Sequence, residues 1–172
     1  MSRWDQALFD TSSLITLDHL LLDRPSLAKH FSTVLAIEAS FTLDSMIDER
    51  AARLRKLVRL IEVPSNREFD RATTAVRMPA SLAKVDRMVL GVGIHHGLGV
   101  VTGDRRLARA VQQAGLDVLD MATALKELVE SGSLTPKECE QVLVDLATRE
   151  DFIIGTTAPT WDRLRKYRFP PD

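Results

Sequence analysis

The sequence predicts an α/β fold in which a parallel sheet is covered by helices, and three observations support this prediction. Short apolar segments alternate with longer segments of helical periodicity over residues 7–120. Asp10 and Asp104 each follow a predicted strand and precede a predicted helix. Glycines stand where two predicted helices end, at Gly97 and Gly115. Strands that alternate with helices are typical of parallel sheets, because the crossover between parallel strands needs a helix.

The first third of the chain contains the opening strand and helix of this alternation. The apolar run Ala7-Leu8-Phe9 predicts a buried strand, and a helix with apolar residues at helical spacing begins at Thr11 and ends before Pro25. A short second strand is predicted over 30–32, followed by a helix over 34–43 with Glu38 near its middle. The leucine spacing over 48–60 predicts a further helix, and a third strand is predicted over 60–63.

The alternation continues and then stops. Helices are predicted over 67–77 and 81–96, the strand 100–102 leads to Asp104, and a helix over 105–114 precedes a strand over 117–119. After residue 122 only helical patterns remain, including a capping box from Thr135 to Glu138. We therefore expect an α/β domain over 1–122, with 123–172 as a helical C-terminal extension of the same domain.

Composition limits the classes of function. With 45% hydrophobic and 27% charged residues, the chain resembles soluble globular proteins. Cys139 is the only cysteine, which excludes an intrachain disulfide and a cysteine zinc site. We expect no membrane association and a cytoplasmic location, because no apolar run approaches about 20 residues and no signal peptide is apparent. The net charge of −1 is low for a nucleic-acid-binding protein, although a metal ion can supply positive charge locally.

Four acidic residues are candidates for a functional site. Asp10 and Asp104 follow strands, and ligands of open parallel sheets bind beyond such strand ends. Carboxylate oxygens favour Mg²⁺ or Mn²⁺ over Zn²⁺. Glu38 and Asp86 stand among apolar neighbours, where an ionised group needs a partner or a metal. The alternative is that both strand-end residues only cap helices, and that Glu38 and Asp86 lie on solvated helix faces.

Four segments that contain these residues together resemble the motifs of PIN-domain nucleases, and most closely those of VapC-like toxins and related prokaryotic proteins. They are Asp10-Thr11-Ser12-Ser13-Leu14-Ile15, Ser32 to Glu38, Ser81 to Asp86, and Val100-Val101-Thr102-Gly103-Asp104-Arg105-Arg106-Leu107. Their order and separations also fit, and the resemblance covers residues 7 to about 120. The extension is a departure, since minimal toxins of this kind generally lack one.

The resemblance implies a three-layer α/β/α fold and Mg²⁺- or Mn²⁺-dependent hydrolysis of RNA, with an antitoxin protein as a partner if the protein is a toxin. Asp10, Glu38, Asp86 and Asp104 would be the catalytic and metal-binding quartet. Ser12 and Thr102 would hydrogen-bond the carboxylates or metal-bound water. Two alternatives remain: an inactive RNA-binding or scaffold PIN domain, and a phosphatase that uses Asp10. The phosphatase motif expects a second Asp where Ser12 stands.

Two basic runs and the extension complete the predictions. Each of the two basic runs, one within 50–59 and one within 163–168, either holds single-stranded RNA or is a solvated helix face. The apolar faces of the extension must be buried on its own domain or on a second copy. We therefore predict a homodimer in which the extension supplies no metal ligand. The runs are Arg50, Arg53, Arg55, Lys56 and Arg59, and then Arg163, Arg165, Lys166 and Arg168, the second interleaved with Trp161, Tyr167 and Phe169.

Overall fold

Five short parallel strands form the centre of the computed structural model, which describes residues 3–43 and 46–169. Their order is β3-β2-β1-β4-β5. Leu8 of β1 pairs with Leu35 of β2 on one side and with Val100 of β4 on the other. The order of the strands therefore reverses between β1 and β4. The strands are β1 (Ala7–Phe9), β2 (Val34–Ala36), β3 (Val58–Leu60), β4 (Gly99–Val101) and β5 (Val118–Leu119).

Helices cover both faces of this sheet, which confirms the predicted α/β fold. Two 3₁₀ segments, Arg3–Gln6 and Pro25–His30, precede β1 and β2. Within the described ranges, no helix has both the length and the apolar composition that a membrane span requires. The α-helices are α1 (Thr11–Asp23), α2 (Ala39–Thr42), α3 (Asp48–Leu54), α4 (Asn66–Thr73), α5 (Lys84–His96), α6 (Arg105–Gln113), α7 (Met121–Glu130), α8 (Pro136–Thr148) and α9 (Trp161–Lys166).

Alternation along the strands separates two apolar cores, one on each face of the sheet. Ala7 and Phe9 of β1 pack in the core that contains residues of α1, α7 and α8. Leu8 points to the opposite face and packs with residues of α5 and α6. Successive residues of a strand face opposite sides, so a strand covered on both faces is apolar throughout. The molecule accordingly has three layers, helix, sheet and helix.

The described part of the extension, 123–169, buries its apolar faces on its own chain. Leu125, Leu143 and Leu164 lie in the same core as Phe9 and Leu14. Residues 170–172 of the predicted extension lie outside the described residues. Since the apolar faces are buried within the chain, they do not require a second copy to cover them. The homodimer therefore stays a prediction.

Several predicted elements need correction. The strand predicted over 30–32 is wrong, because the strand is β2, Val34–Ala36, and the helix predicted over 34–43 is confined to α2. The helix over 48–60 ends at Leu54, and the third strand is Val58–Leu60. A short apolar run fits a buried strand as well as a helix, so the periodicity does not distinguish them. The other helices differ from prediction only in their ends.

Candidate functional site

The carboxyl ends of the strands carry most of the acidic candidates. Asp10 directly follows β1, Asp104 follows β4 within three residues, and Glu38 follows β2 within two. Asp86 lies in the first turn of α5, which runs back to the start of β4 and therefore begins at this same edge. A fifth residue, Asp120, directly follows β5 and was not among the predicted site residues. The topology thus brings five carboxylates to one edge of the sheet.

Asp10 is a buried carboxylate that is held by neutral donors. The hydroxyl of Thr102 donates to its Oδ2 at 2.5 Å, and the hydroxyl of Ser12 donates to its Oδ1 at 2.9 Å. The backbone N–H of Ser13 donates to Oδ1 at 2.7 Å. Burial raises the pKa of Asp10, and these hydrogen bonds oppose the rise. Within the described chain no Arg, Lys or His pairs with Asp10, so its negative charge is not neutralised.

Thr102 links Asp10 to Asp104. While its hydroxyl donates to Asp10, its oxygen accepts the backbone N–H of Asp104 at 3.0 Å. Asp104 caps α6, because its Oδ1 accepts the N–H groups of Arg106 at 2.6 Å and Leu107 at 3.0 Å. Its Oδ2 accepts no hydrogen bond from the described residues. Helix capping, which the sequence left open, is therefore real for both Asp10 and Asp104, but it leaves one oxygen of Asp104 available.

An open cleft of about 330 Å³ lies over this pair of strand ends. Ser12 and Thr16 of α1 form one side of the cleft, and Asp104 and Asp120 form the side that belongs to the sheet edge. The segment 151–153, which follows α8, closes the cleft from the extension. The cleft is located where the strand order reverses, which is the usual ligand site of an open parallel sheet.

Asp120 has the same structural position as Asp10. It caps α7 by accepting the N–H of Thr123 at 2.9 Å, and it is 3% exposed. Burial raises the pKa of Asp120, whereas its hydrogen bonds with Thr123 and the positive charges of Lys126 and Arg3 oppose the rise. A signal for it was present, because Leu119, Asp120 and Met121 repeat the strand–Asp–helix pattern around Asp10.

Asp151 comes from the extension and is held by α1. Its Oδ1 accepts the hydroxyl of Thr16 at 3.0 Å, and its Oδ2 lies 3.0 Å from His19 Nδ1. The other ring nitrogen of His19 lies 2.9 Å from Arg50 Nη2. Because arginine can only donate, Nε2 of His19 accepts, so that Nδ1 carries a proton and donates to Asp151. No sequence pattern indicated Asp151, because the folding of the extension alone places it here.

Glu38 has a partner outside the cleft. Its two oxygens receive the guanidinium of Arg55 at 2.9 and 2.5 Å, and its side chain is 51% exposed. The hydrogen bonds with Arg55 hold the pKa of Glu38 below its usual value. Glu38 and the half-buried Asp86 do not line the cleft, and the buried Asp10 does not line it either but lies next to Ser12 and Ser13, which do. The structure thus links Asp10 to the backbone of Asp104 through Thr102, while a shared metal site of the four residues stays a prediction.

The donors at this edge fit a hard divalent cation. Carboxylates of Asp10, Asp104 and Asp120 and hydroxyls of Ser12 and Thr102 are all oxygen donors, which suit Mg²⁺ and Mn²⁺. Over 3–43 and 46–169, no three His, Cys, Asp or Glu side chains are grouped closely enough to hold an ion by themselves. Mg²⁺ in phosphoryl-transfer sites is usually bound by one or two carboxylates, with water and substrate phosphate as further ligands. Asp10 and Asp104 are two carboxylates that follow neighbouring strands and are connected through Thr102.

Comparisons of the chain with models of protein families, with curated proteins and with solved structures gave no significant match. The resemblance to PIN domains therefore depends on the four sequence motifs, and a function has to be argued from the site.

Proposed function

We propose that the protein is a Mg²⁺- or Mn²⁺-dependent endoribonuclease that hydrolyses RNA phosphodiester bonds. One observation carries this proposal. The buried carboxylate of Asp10 has hydroxyl and N–H donors but no basic partner, and Thr102 connects it to Asp104 beneath an open cleft. A buried negative charge without a basic partner is costly, and a divalent cation is the partner that offsets this cost best.

The residues of the site would have two kinds of role, namely binding of the metal ion and activation of the attacking water. Asp10 and Asp104 would hold the ion, with Glu38 and Asp86 as the further members of the quartet. Ser12 and Thr102 keep the Asp10 carboxylate oriented through their hydroxyls. A bound divalent ion supplies positive charge to the scissile phosphate and activates water. Asp120, which lines the cleft and whose pKa is raised by burial, would accept a proton from the attacking water.

The phosphatase alternative is less well supported. The motif of phosphatases with a nucleophilic Asp expects a second Asp two residues after the first, and Ser12 stands at that position. The scaffold alternative has one observation in its favour, since Glu38 is neutralised by Arg55 and lies outside the cleft lining. An inactive RNA-binding protein would bind RNA without cleaving it.

The test is cleavage of a labelled single-stranded RNA by the purified protein with Mg²⁺, with Mn²⁺ and with EDTA. We expect cleavage only with metal, and a loss of about 100-fold or more in Asp10→Asn and in Asp104→Asn. Asp162→Asn is the matched control, because it also removes one carboxylate but lies in α9, outside the cleft lining.

Three outcomes would contradict the proposal. Full activity in either site variant would exclude the metal-binding role of that carboxylate. RNA binding without cleavage under all metal conditions would support the scaffold alternative. Turnover of a phosphate monoester without metal, dependent on Asp10, would support the phosphatase.

A role as the toxin of a toxin–antitoxin pair is a finer proposal on the same activity. Growth arrest on expression of the wild-type chain, but not of Asp10→Asn, would support it. Growth arrest with both chains would show that the arrest does not depend on cleavage.

A further inference from the structure

The end of α9 brings two cations to one neutral oxygen. The carbonyl oxygen of Tyr167 accepts hydrogen bonds from Lys126 Nζ and from Arg168 Nη1, the second at 3.1 Å. The ammonium of Lys126 also lies 5.9 Å from the centre of the Tyr167 ring. Among the described residues, neither Lys126 nor Arg168 forms a salt bridge with a carboxylate. The two positive charges therefore lie close together without an anion between them.

Electrostatic effects on Lys126 agree with this geometry. Burial is the main reason that the pKa of Lys126 lies below its ordinary value, and the positive charge of Arg168 lowers it further. The negative charges of Asp120 and Glu130 act in the opposite direction but do not outweigh these two effects. Two like charges near each other favour the binding of an anion such as a phosphate group.

The cation pair lies beside the cleft. Lys126 follows the cleft residue Asp120 by six positions on α7, a distance of about 9 Å along the helix axis. A third cation, Arg105, directly follows Asp104, is exposed and makes no side-chain hydrogen bond to any described residue. The charges of Asp120 and Arg105 both affect the pKa of Tyr167, the residue whose carbonyl binds Lys126 and Arg168.

The other cations of the two basic runs are mostly engaged elsewhere. Arg165 and Lys166 bind Asp162 at 2.7 and 3.0 Å. Arg163 donates to Thr156 and to the carbonyl of Ala158. In the first run, three arginines bind the carboxylates of Asp18 or Glu38, namely Arg50, Arg53 and Arg55. Arg168 donates to the carbonyls of Arg165 and Tyr167, and among the described cations of the tail it is the one that shares a carbonyl partner with Lys126.

We propose that Lys126, Arg168 and Arg105 bind the phosphates of a single RNA strand that leads into the cleft, so that the extension supplies part of the substrate-binding surface. This inference rests on the proposed function, since it takes RNA as the substrate. A cleft of about 330 Å³, closed on one side by 151–153, is the size of a small-molecule site and admits an unpaired nucleotide rather than a duplex.

The experiment measures RNA binding separately from cleavage. Anisotropy of a fluorescein-labelled single-stranded RNA is recorded in EDTA, which prevents turnover, over a series of KCl concentrations. Each phosphate contact on a single strand contributes about 0.7 to the slope of log K against log salt. The slope is negative, and we expect the double variant K126Q/R168Q to decrease its magnitude by about 1.4 and the addition of R105Q to decrease it by about 0.7 more.

The matched control is R165Q/K166Q, which also removes two positive charges from the extension, but charges that both pair with the carboxylate of Asp162. We expect its slope to stay close to that of the wild type. Thermal unfolding and near-ultraviolet circular dichroism establish that each variant is folded. An unchanged slope in folded K126Q/R168Q, or an equal decrease in the control, would overturn the inference.

The remaining outcomes separate this inference from the proposed function. If the wild type binds RNA through Lys126 and Arg168 but does not cleave it, the nuclease proposal fails and the binding surface stands. If the wild type cleaves RNA but K126Q/R168Q leaves the salt dependence of binding unchanged, the proposed binding surface is wrong and the nuclease proposal remains. A blunt duplex that binds as tightly as the single strand would contradict the single-strand assignment.

Discussion

Asp10 and Glu38 follow neighbouring strands, β1 and β2, yet their surroundings are opposite. Asp10 is buried and receives only neutral donors, because β4 brings Thr102 against it. Glu38 is exposed and receives both arms of the Arg55 guanidinium. A strand-end position alone therefore does not make a cation site. What distinguishes the two carboxylates is whether the fold supplies a basic side chain.

Asp18 completes this comparison, because its side chain is as inaccessible to solvent as that of Asp10, but it lies nearer the surface and has basic partners. It is 4% exposed and accepts hydrogen bonds from Arg53 at 2.8 and 2.9 Å and from Arg50 at 3.2 Å. Burial disfavours its charge, but the hydrogen bonds and charges of the two arginines outweigh burial and lower the pKa of Asp18. Burial raises the pKa of Asp10, where no arginine is present. Asp18 is thus a structural carboxylate, and Asp10 is a candidate ligand.

The largest effect on stability is expected at Asp18. Asp18→Asn removes the charge that holds Arg50 and Arg53, and we expect a loss of about 2–3 kcal/mol in the free energy of unfolding. For a chain of this length that corresponds to a decrease of about 5–10 °C in Tm. Thermal unfolding at neutral pH measures it. Glu38→Gln is the exposed control and should leave Tm within about 2 °C.

The pH dependence gives this prediction a second measurement. Since the pKa of Asp18 is depressed in the folded protein, its contribution to stability is present above its ordinary value of 3.8 and is lost as pH falls below it. The difference between the wild type and Asp18→Asn should therefore shrink in acid. Equal stability of the two proteins at neutral pH would show that the pairing of Asp18 with Arg50 and Arg53 does not stabilise the fold.

The sequence indicated the central part of the site because local patterns determine it. An apolar run followed by Asp and a helix identified both Asp10 and Asp104, and Gly97 ends α5 in the left-handed conformation that favours glycine. The same pattern would have identified Asp120. The second strand was misplaced because Val34-Leu35-Ala36 is apolar at every position, which is equally compatible with a buried helix.

Tertiary contacts determine the rest of the site, and local patterns do not contain them. Asp151 reaches the cleft only because α8 packs on α1 and places the following segment beside His19 and Thr16. The pairing of Glu38 with Arg55 joins residues 17 positions apart around α2 and α3. Neither contact has a periodic signature. The sequence therefore shows where the acidic residues are, but it does not predict which of them pair with a basic side chain.

A smaller effect, on activity, is expected at Glu38. If Glu38 belongs to the quartet, Glu38→Gln should reduce RNA cleavage by about 10-fold, less than Asp10→Asn, because Glu38 must first release Arg55. Arg55→Gln should then lower the Mn²⁺ concentration that gives half-maximal activity, since it frees the carboxylate. Cleavage assays over a Mn²⁺ series measure both effects. An unchanged Mn²⁺ dependence in both variants would assign the Glu38–Arg55 pair to structure alone.

The smallest expected effect is a gain in stability when the charge of Asp10 is removed. Because burial raises its pKa above the ordinary 3.8, the folded protein binds a proton more tightly than the unfolded chain does. The free energy of unfolding therefore falls as pH rises from the ordinary pKa through the folded one, and the full cost of the buried charge is present above both. Asp10→Asn avoids this cost, and its remaining oxygen can still accept the N–H of Ser13 and the hydroxyl of Ser12, while the Thr102 hydroxyl would have to accept from the new amide.

We accordingly expect Asp10→Asn to raise Tm by about 2–4 °C near neutral pH in EDTA, the shift that about 1 kcal/mol produces in a chain of this length. The gain should shrink as the pH is lowered toward about 4, because the wild-type carboxyl then becomes protonated. It should also shrink when Mg²⁺ is added, because the ion stabilises only the wild-type carboxylate. Asp162→Asn, at an exposed carboxylate whose pKa the charges and hydrogen bonds of Lys166 and Arg165 lower, should show no such gain. If Asp10→Asn is no more stable than the wild type at neutral pH without metal, the charge of Asp10 carries no cost, and the main argument for a cation at this strand end is lost.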